Sequence, residues 1–175
     1  MRITVKIISI IAIVGFVLIP KFSHAQKFSK NEIKAAFVFN FVQFVAWPAE
    51  KDSLTLGIVG NNEFTDVLKL KLNHQKIGNR VLKVIQYPVN QKTFSCDVVF
   101  MAHDDVINMD IILEEIKNKP ILSIGETDGF CLKGGIINLI ESDNGNYFFE
   151  INNVRALKQK IGISSKLLKL AIQVE

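Results

Sequence analysis

Apolar positions follow two different patterns along this chain, and the two patterns alternate. Short, nearly continuous apolar runs at residues 54–60, 96–102 and 121–124 are typical of buried strands. Between these runs, residues 62–72 and 106–117 carry apolar side chains at the spacing of a helix. Strands that alternate with helices predict a mostly parallel, twisted sheet that is covered by helices on both faces.

Shorter signals predict the remaining elements of the second half of the chain. Residues 80–87 alternate between apolar and polar positions, as in a half-buried strand. Residues 135–141 and 146–152 flank a turn-forming stretch and predict an antiparallel β-hairpin. Residues 152–162 and 164–174 predict two closing helices. Together the patterns predict an α/β fold: a single three-layer domain with an antiparallel C-terminal hairpin.

The first helix of the domain has clear start and stop signals. Ser29 followed by Glu32 is a capping-box pattern, in which each residue hydrogen-bonds the main chain of the other. Proline cannot continue a helix, so Pro48 is expected to end this helix after Trp47.

This first helix is apolar on nearly all sides. Its core stripe is expected to contain Phe37, Val38, Phe41, Val42, Phe44 and Val45. Four residues fall on the other side and are candidate partner-binding residues: Phe39, Asn40, Gln43 and Trp47. A helix of this kind is either covered by its own chain or docks a partner, and both interpretations are open at the level of sequence.

The first 25 residues have the features of an export signal. Arg2 and Lys6 precede an apolar run at residues 7–19, and small residues follow up to Ala25. Cleavage is therefore expected before Gln26. The alternative is a membrane anchor, but a spanning helix needs about 18–20 apolar residues. No cysteine lies near Ala25, which argues against a lipid anchor.

Composition and charge narrow the possible functions of the remaining residues, 26–175. Apolar residues make up 49% of the 175-residue chain, which is enough for one folded domain and excludes a disordered chain. Three of the 21 basic residues precede residue 26, so the mature domain carries 18 basic and 17 acidic residues. A nucleic-acid-binding domain usually shows a concentrated basic excess, so we expect no nucleic-acid partner.

The sequence contains no recognisable catalytic or cofactor motif. It has no glycine-rich phosphate loop, no nucleophile elbow and no zinc-ligand spacing, so we expect neither an enzyme nor a bound metal or cofactor. Polar residues do follow the buried strands, where α/β sheets bind ligands. We therefore take Asn61, His103 and Glu126 as candidate ligand-binding residues. For His103 the alternative interpretation is a polar turn that caps the next helix.

Cys96 and Cys131 are the two cysteines of the chain. Cys96 opens a strand, whereas Cys131 follows the carboxyl end of the next strand. If these strands are parallel neighbours, about six residues at ~3.3 Å each separate Cys96 from Cys131 along the strand direction. A disulfide requires the two Cα atoms to lie within about 7 Å of each other. We therefore expect no intramolecular disulfide, a buried Cys96, and a more exposed Cys131 that could link two chains.

The first helix and the residues after it carry a recognisable set of positions: Lys34, Ala35, Phe37, Asn40, Phe41, Trp47 and Pro48. This set resembles the opening signature of the YfiR/HmsC-like family of exported bacterial proteins. Further resemblance lies at residues 54–64, 96–102, 120–140 and 149–171, so that it covers about residues 30–172. The order of these motifs is also that of the family.

The resemblance implies an α/β fold, a periplasmic location and a regulatory rather than catalytic role. The best-understood relatives bind the periplasmic part of an inner-membrane diguanylate cyclase and hold it inactive; their release raises cyclic di-GMP and promotes biofilm. Some relatives carry extra cysteines, and the resemblance implies that the cysteines' partners fall near Gly57 and Asn138 here.

Family resemblance identifies a domain but not the protein that it binds. A membrane-bound diguanylate cyclase is the expected partner, and the first helix could also form a homodimer. The alternative is a periplasmic small-ligand-binding module that acts as the sensor of a histidine kinase or another membrane receptor.

Overall fold

The computed structural model describes residues 28–47, 51–102 and 109–174. Within these residues the helices are α1 (Lys30–Gln43), α2 (Glu63–Leu72), α3 (Met109–Ile116), α4 (Asn153–Lys158) and α5 (Ser165–Leu168). The first five strands are β1 (Val45–Ala46), β2 (Ser53–Val59), β3 (Lys76–Ile77), β4 (Arg80–Tyr87) and β5 (Val98–Met101). The others are β6 (Leu122–Gly125), β7 (Ile137–Glu141), β8 (Tyr147–Ile151), β9 (Gly162–Ile163) and β10 (Ile172–Gln173).

Eight of these strands form one sheet in the order β10-β8-β7-β6-β5-β2-β4-β3. The five strands from β7 to β4 run parallel to their neighbours, whereas β8 returns antiparallel to β7 and β3 lies antiparallel to β4. The predicted mostly parallel sheet and the C-terminal hairpin are both confirmed. β1 and β9 form a separate two-stranded sheet.

Helices cover both faces of the large sheet. Successive residues of a strand point to opposite faces, and β5 shows this directly. Val98 and Phe100 pack in the core cluster that contains α1 and α2, whereas Val99 and Met101 pack in the cluster that contains α3. The fold is thus the predicted three-layer α/β arrangement.

The capping box at the start of α1 is confirmed. Ser29 Oγ accepts a hydrogen bond from the Glu32 N–H (3.2 Å), and the Ser29 N–H donates to Glu32 Oε2 (3.0 Å). The predicted end at Trp47 is wrong, because the helix stops at Gln43. The chain then pairs with β9, and the Ser164 N–H donates to the Phe44 carbonyl (2.9 Å).

The predicted closing helices are also shorter than the sequence pattern suggests. α5 is a single turn, and the chain then forms β10 beside β8, where the Val174 N–H donates to the Ile151 carbonyl (3.0 Å). Hydrogen bonds to a distant strand replace those of a longer helix. Sequence analysis also missed β3, a two-residue strand.

The buried amide of Gln159 holds the end of α4 against the rest of the domain. Its Nε2 donates to the carbonyl oxygens of Ile116 (2.8 Å), Lys119 (2.9 Å) and Ile121 (3.3 Å). One side chain therefore satisfies main-chain acceptors between α3 and β6, as buried polar groups require.

In the described parts of the chain, no helix combines the length and the apolar character that crossing a membrane requires. Residues 1–25, the predicted export signal, lie outside those parts.

Candidate functional site

An apolar groove of about 410 Å³ runs along α1 beside the end of α2. Its lining includes Phe28, Ile33, Ala36, Phe39, Asn40 and Leu72. At its rim, Lys71 Nζ lies 2.6 Å from Glu32 Oε1, and the hydrogen bond from Lys71 lowers the pKa of the Glu32 carboxyl. The groove is thus an apolar surface with an ion pair at its margin.

The structure separates the four predicted partner-binding residues into two pairs. Phe39, which is half-buried, and Asn40, which is exposed, line the apolar groove. Gln43 and Trp47 instead line another hollow, of about 750 Å³, which also contains Arg80. Gln43 is the last residue of α1, and the early end of this helix places Trp47 directly after β1. The Trp47 Nε1 is buried and has no hydrogen-bond acceptor among the described residues.

The other side of α1 forms the predicted core stripe. Val38, Phe41, Val42 and Val45 are buried, while Phe37 and Phe44 are half-buried. Phe39 and Trp47 also pack partly against this core. The aromatic residues Phe39 and Trp47 therefore belong neither fully to the core side nor fully to the exposed side. Asn40 and Gln43 mark the exposed side most clearly.

A second, polar cleft lies at the carboxyl ends of the parallel strands, with a volume of about 540 Å³. Its lining includes Lys34, Asn62, Phe64, Glu126, Asn138 and Tyr147. Lys34 forms an ion pair with Glu126, and the two side chains are only 16% and 10% exposed. The Lys34 ammonium also lies 3.9 Å from the centre of the Phe64 ring, a favourable cation–π geometry.

Hydrogen bonds fix the other polar groups of the cleft. Asn138 Oδ1 accepts from the Thr127 N–H (3.1 Å), and its Nδ2 donates to Glu150 Oε2 (3.3 Å). The Tyr147 hydroxyl donates to Glu141 Oε2 (2.9 Å). Burial and this hydrogen bond to a carboxylate raise the pKa of Tyr147 to about 12. The cleft thus presents positioned donors and acceptors, which is typical of a site for a small polar molecule.

The three predicted ligand-binding residues have different positions. Glu126 lines the cleft, whereas Asn61 is exposed next to it and its neighbour Asn62 lines the cleft instead. His103 lies outside the described residues. Sequence analysis missed Asn138 as a residue of the cleft, although a lone amide in a buried apolar strand was a usable signal. It also missed Tyr147 as a residue of the cleft, because only the hairpin brings this side chain there.

The expected exposures of the two cysteines are reversed. Cys131 is fully buried, and its Sγ lies 3.5 Å from the Ile136 carbonyl oxygen, whereas Cys96 is half-buried. The prediction that Cys131 is the more exposed thiol is therefore wrong. The loop after β6 folds inward, and Asn152 Nδ2 donates to the Cys131 carbonyl (3.2 Å) and holds the loop there.

Both cysteines carry free thiols in this structure. A Cβ atom built on Gly57 would lie 3.2 Å from Cys96 Sγ, and the main chain of Asn138 hydrogen-bonds to Cys131. The two positions where relatives were expected to carry partner cysteines therefore adjoin the two thiols.

Burial raises the pKa of the Cys131 thiol to about 12, from an ordinary value of about 9. As the pH rises, the thiol therefore ionises in the unfolded chain before it ionises in the folded one. The free energy of unfolding consequently decreases as the pH rises above about 9. At about pH 10.5 we expect this effect of Cys131 to lower the free energy of unfolding by about 2 kcal/mol relative to neutral pH. Urea unfolding of the wild type and of Cys131→Ala at both pH values measures this loss. Equal losses in the two proteins would contradict it.

Acidic, histidine and cysteine side chains do not assemble into a group that could hold a metal ion anywhere in residues 28–47, 51–102 and 109–174. The polar groups of the cleft are instead a lysine, carboxylates, amides and a phenol.

A family model described as YfiR/HmsC-like matches residues 31–172 of the chain. The match includes every lining residue of the apolar groove except Phe28, and every lining residue of the polar cleft. No curated protein matches the chain.

Proposed function

Because this chain belongs to the YfiR/HmsC-like family, we propose that it is a periplasmic regulator of cyclic di-GMP signalling. In this proposal the export signal is removed before Gln26, and the mature domain binds the periplasmic part of an inner-membrane diguanylate cyclase. Binding holds the cyclase inactive, and release raises cyclic di-GMP and promotes biofilm.

The apolar groove on α1 is the observation that carries this proposal. Apolar and aromatic side chains form the centre of protein interfaces, and polar residues surround them. The groove has this composition: Phe39 lies in its lining, Asn40 is exposed beside it, and the Glu32–Lys71 ion pair lies at its rim. It therefore suits the docking of an apolar segment of the cyclase.

Phe39→Asp is expected to weaken binding of the cyclase about 30-fold, because it places a charge at the centre of the apolar contact. Cells that carry only this variant should contain as much cyclic di-GMP as cells from which the gene is deleted. The matched control is Ile111→Asp, which changes an exposed apolar residue on α3, on the opposite face of the sheet. Cellular cyclic di-GMP, measured by mass spectrometry, compares the strains.

Thermal unfolding of the purified variants separates loss of binding from loss of folding. The proposal requires that Phe39→Asp, although it loses part of its contact with the core, stays folded at the growth temperature as Ile111→Asp does, and that the two differ in their effect on cyclic di-GMP. Unchanged cyclic di-GMP on deletion of the gene would contradict the proposed role. Equal effects of the two variants would contradict the groove as the docking surface.

The polar cleft supports a second candidate function, that of a small-ligand-binding sensor for a histidine kinase or another membrane receptor. Lys34 contributes to the cleft and Phe39 to the groove, and both lie on α1. A ligand that shifts this helix could therefore change the affinity for a partner. Binding of polar metabolites should raise the unfolding temperature of the mature domain. A broad panel without any shift would count against this function.

A further inference from the structure

The polar cleft at the carboxyl ends of the parallel strands carries an excess of negative charge. Its lining contains one ammonium group, that of Lys34, and four carboxylates: Glu63, Glu126, Asp128 and Glu141. These residues lie on α1, at the start of α2, in the loop after β6 and at the end of β7, so only the fold brings them together. A cleft in which one sign of charge prevails attracts molecules of the opposite sign.

The protein's own lysines neutralise two of these carboxylates. Lys34 forms an ion pair with Glu126, and Lys30 forms one with Glu141. The Lys34 ammonium is also held 3.9 Å from the centre of the Phe64 ring. Among the lining residues that the structure describes, no further cation is present that could attract an anionic molecule.

The other two carboxylates of the lining, those of Glu63 and Asp128, are not neutralised in this way. Both residues are exposed to solvent, and the ion pairs of the described parts of the chain include neither of them. A small molecule with an ammonium group would therefore be attracted into the cleft, where it would partly neutralise these charges.

A buried amide of the cleft has a hydrogen-bond donor to spare. Asn138 lines the cleft although it is only 1% exposed. Its Oδ1 accepts from the Thr127 N–H (3.1 Å), and its Nδ2 donates one hydrogen to Glu150 Oε2 (3.3 Å). The second hydrogen of Nδ2 has no acceptor among the described residues. A buried donor without an acceptor is unfavourable, so a bound molecule that supplied an oxygen atom there would gain a hydrogen bond.

The size and the neutral lining of the cleft suit a small molecule with several hydroxyl groups. Its volume of about 540 Å³ is that of a pocket for a small organic molecule. Hydroxyl groups both donate and accept hydrogen bonds, so they match a lining of amides, hydroxyls and carboxylates. The neutral polar residues of the lining are Asn31, Asn62, Thr127, Asn138 and Tyr147.

We propose that the polar cleft binds a hydroxylated primary amine of about the size of an amino sugar. The negative charge of Glu63 and Asp128 would hold its ammonium group, and one of its hydroxyl oxygens would accept the spare hydrogen of Asn138 Nδ2. This inference rests on the second candidate function, that of a small-ligand-binding sensor, and specifies the chemical class of the ligand.

Isothermal titration calorimetry of the mature domain with three matched probes tests the proposal. Glucosamine carries both the ammonium group and the hydroxyl groups. N-acetylglucosamine has a neutral amide in place of the ammonium group, and cyclohexylamine has the ammonium group on a ring without hydroxyl groups. At about pH 6, where both amines are protonated, we expect glucosamine to bind about tenfold more tightly than either of the others. Salt at about 0.5 M should weaken its binding.

Several outcomes of the titration would overturn the proposal. Absence of glucosamine binding, or equal binding of glucosamine and N-acetylglucosamine, would show that the cleft does not recognise an ammonium group. Equal binding of cyclohexylamine would show that it does not recognise hydroxyl groups. If another polar metabolite then raised the unfolding temperature, the sensor function would stand and only the ligand class would be wrong.

Matched variants test whether the two carboxylates attract the ligand. Glu63→Gln with Asp128→Asn is expected to weaken glucosamine binding about tenfold and to leave the binding of N-acetylglucosamine unchanged. Asp52→Asn with Asp110→Asn removes the same charge from exposed positions outside the cleft and should have little effect. Thermal unfolding verifies that both double variants fold. Equal weakening by the two double variants would show a general effect of charge and overturn the assignment to the cleft.

Discussion

Lys34→Met is expected to lower the free energy of unfolding by about 3 kcal/mol, because it leaves the Glu126 carboxylate in the cleft without its ammonium partner. Removing one member of a buried ion pair costs more than the pair itself contributes, since the remaining charge is only partly hydrated. The substitution also removes the cation above the Phe64 ring. Urea unfolding, followed by circular dichroism, measures the loss.

Two further variants make this prediction specific. Lys71→Met breaks the more exposed pair with Glu32 and should cost less than about 1 kcal/mol. Adding Glu126→Leu to Lys34→Met removes both charges and should restore most of the stability. Equal costs for Lys34→Met and Lys71→Met would show that the cleft pair is as well hydrated as a surface pair, and the prediction would be wrong.

Phe130→Ala is expected to lower the free energy of unfolding by about 3–5 kcal/mol. Phe130 is fully buried in the core cluster on the α3 side of the sheet. Its ring packs so closely on Gly125 and Gly135 that a Cβ atom at either glycine would collide with it. Backbone on both sides cannot easily move into the space that alanine would leave, so a large part of the cavity should persist.

Leu132→Ala is the matched control, because Leu132 lies in the same loop and is mostly exposed. It should change stability by less than about 0.5 kcal/mol. The loop also carries Glu126 into the cleft, so Phe130→Ala should raise amide hydrogen exchange around Thr127 more than Leu132→Ala does. Similar unfolding free energies for the two variants would contradict the role of Phe130 as the anchor of the loop.

The pattern of apolar and polar positions predicted the main strands well, because a short stretch of sequence specifies each strand. Residues 80–87 carry the alternation of β4, and the predicted strand has the same bounds as the observed one. The capping box at Ser29 is equally local, since both of its hydrogen bonds join residues three apart. Such signals lie within one short window of sequence.

Predictions that depended on distant contacts failed for a common reason. α1 ends early because Val45 and Ala46 pair with a strand more than 100 residues later. The closing helix is replaced by β10 because β8 offers main-chain partners. Cys131 is buried because its loop is held by Asn152. In each case the deciding hydrogen bond joins segments that no local window contains.

The residues of the candidate sites also divide into those that local sequence predicts and those that only distant contacts place. The sequence alone indicated that Phe39 and Asn40 lie off the core stripe of the first helix, since helical periodicity fixes the side on which each residue falls. It also indicated that Glu126 follows the carboxyl end of a buried strand. Both are properties of a single element and its neighbours in the chain.

Sequence alone thus determined the α/β class, the capping of the first helix and the resemblance to the YfiR/HmsC-like family, because these depend on local order along the chain. Only the tertiary structure decided that Glu126 meets Lys34 in one cleft, and that Phe39 and Trp47 line different hollows. Such groupings depend on which distant segments of the main chain pair, and the packing of the whole domain determines this pairing.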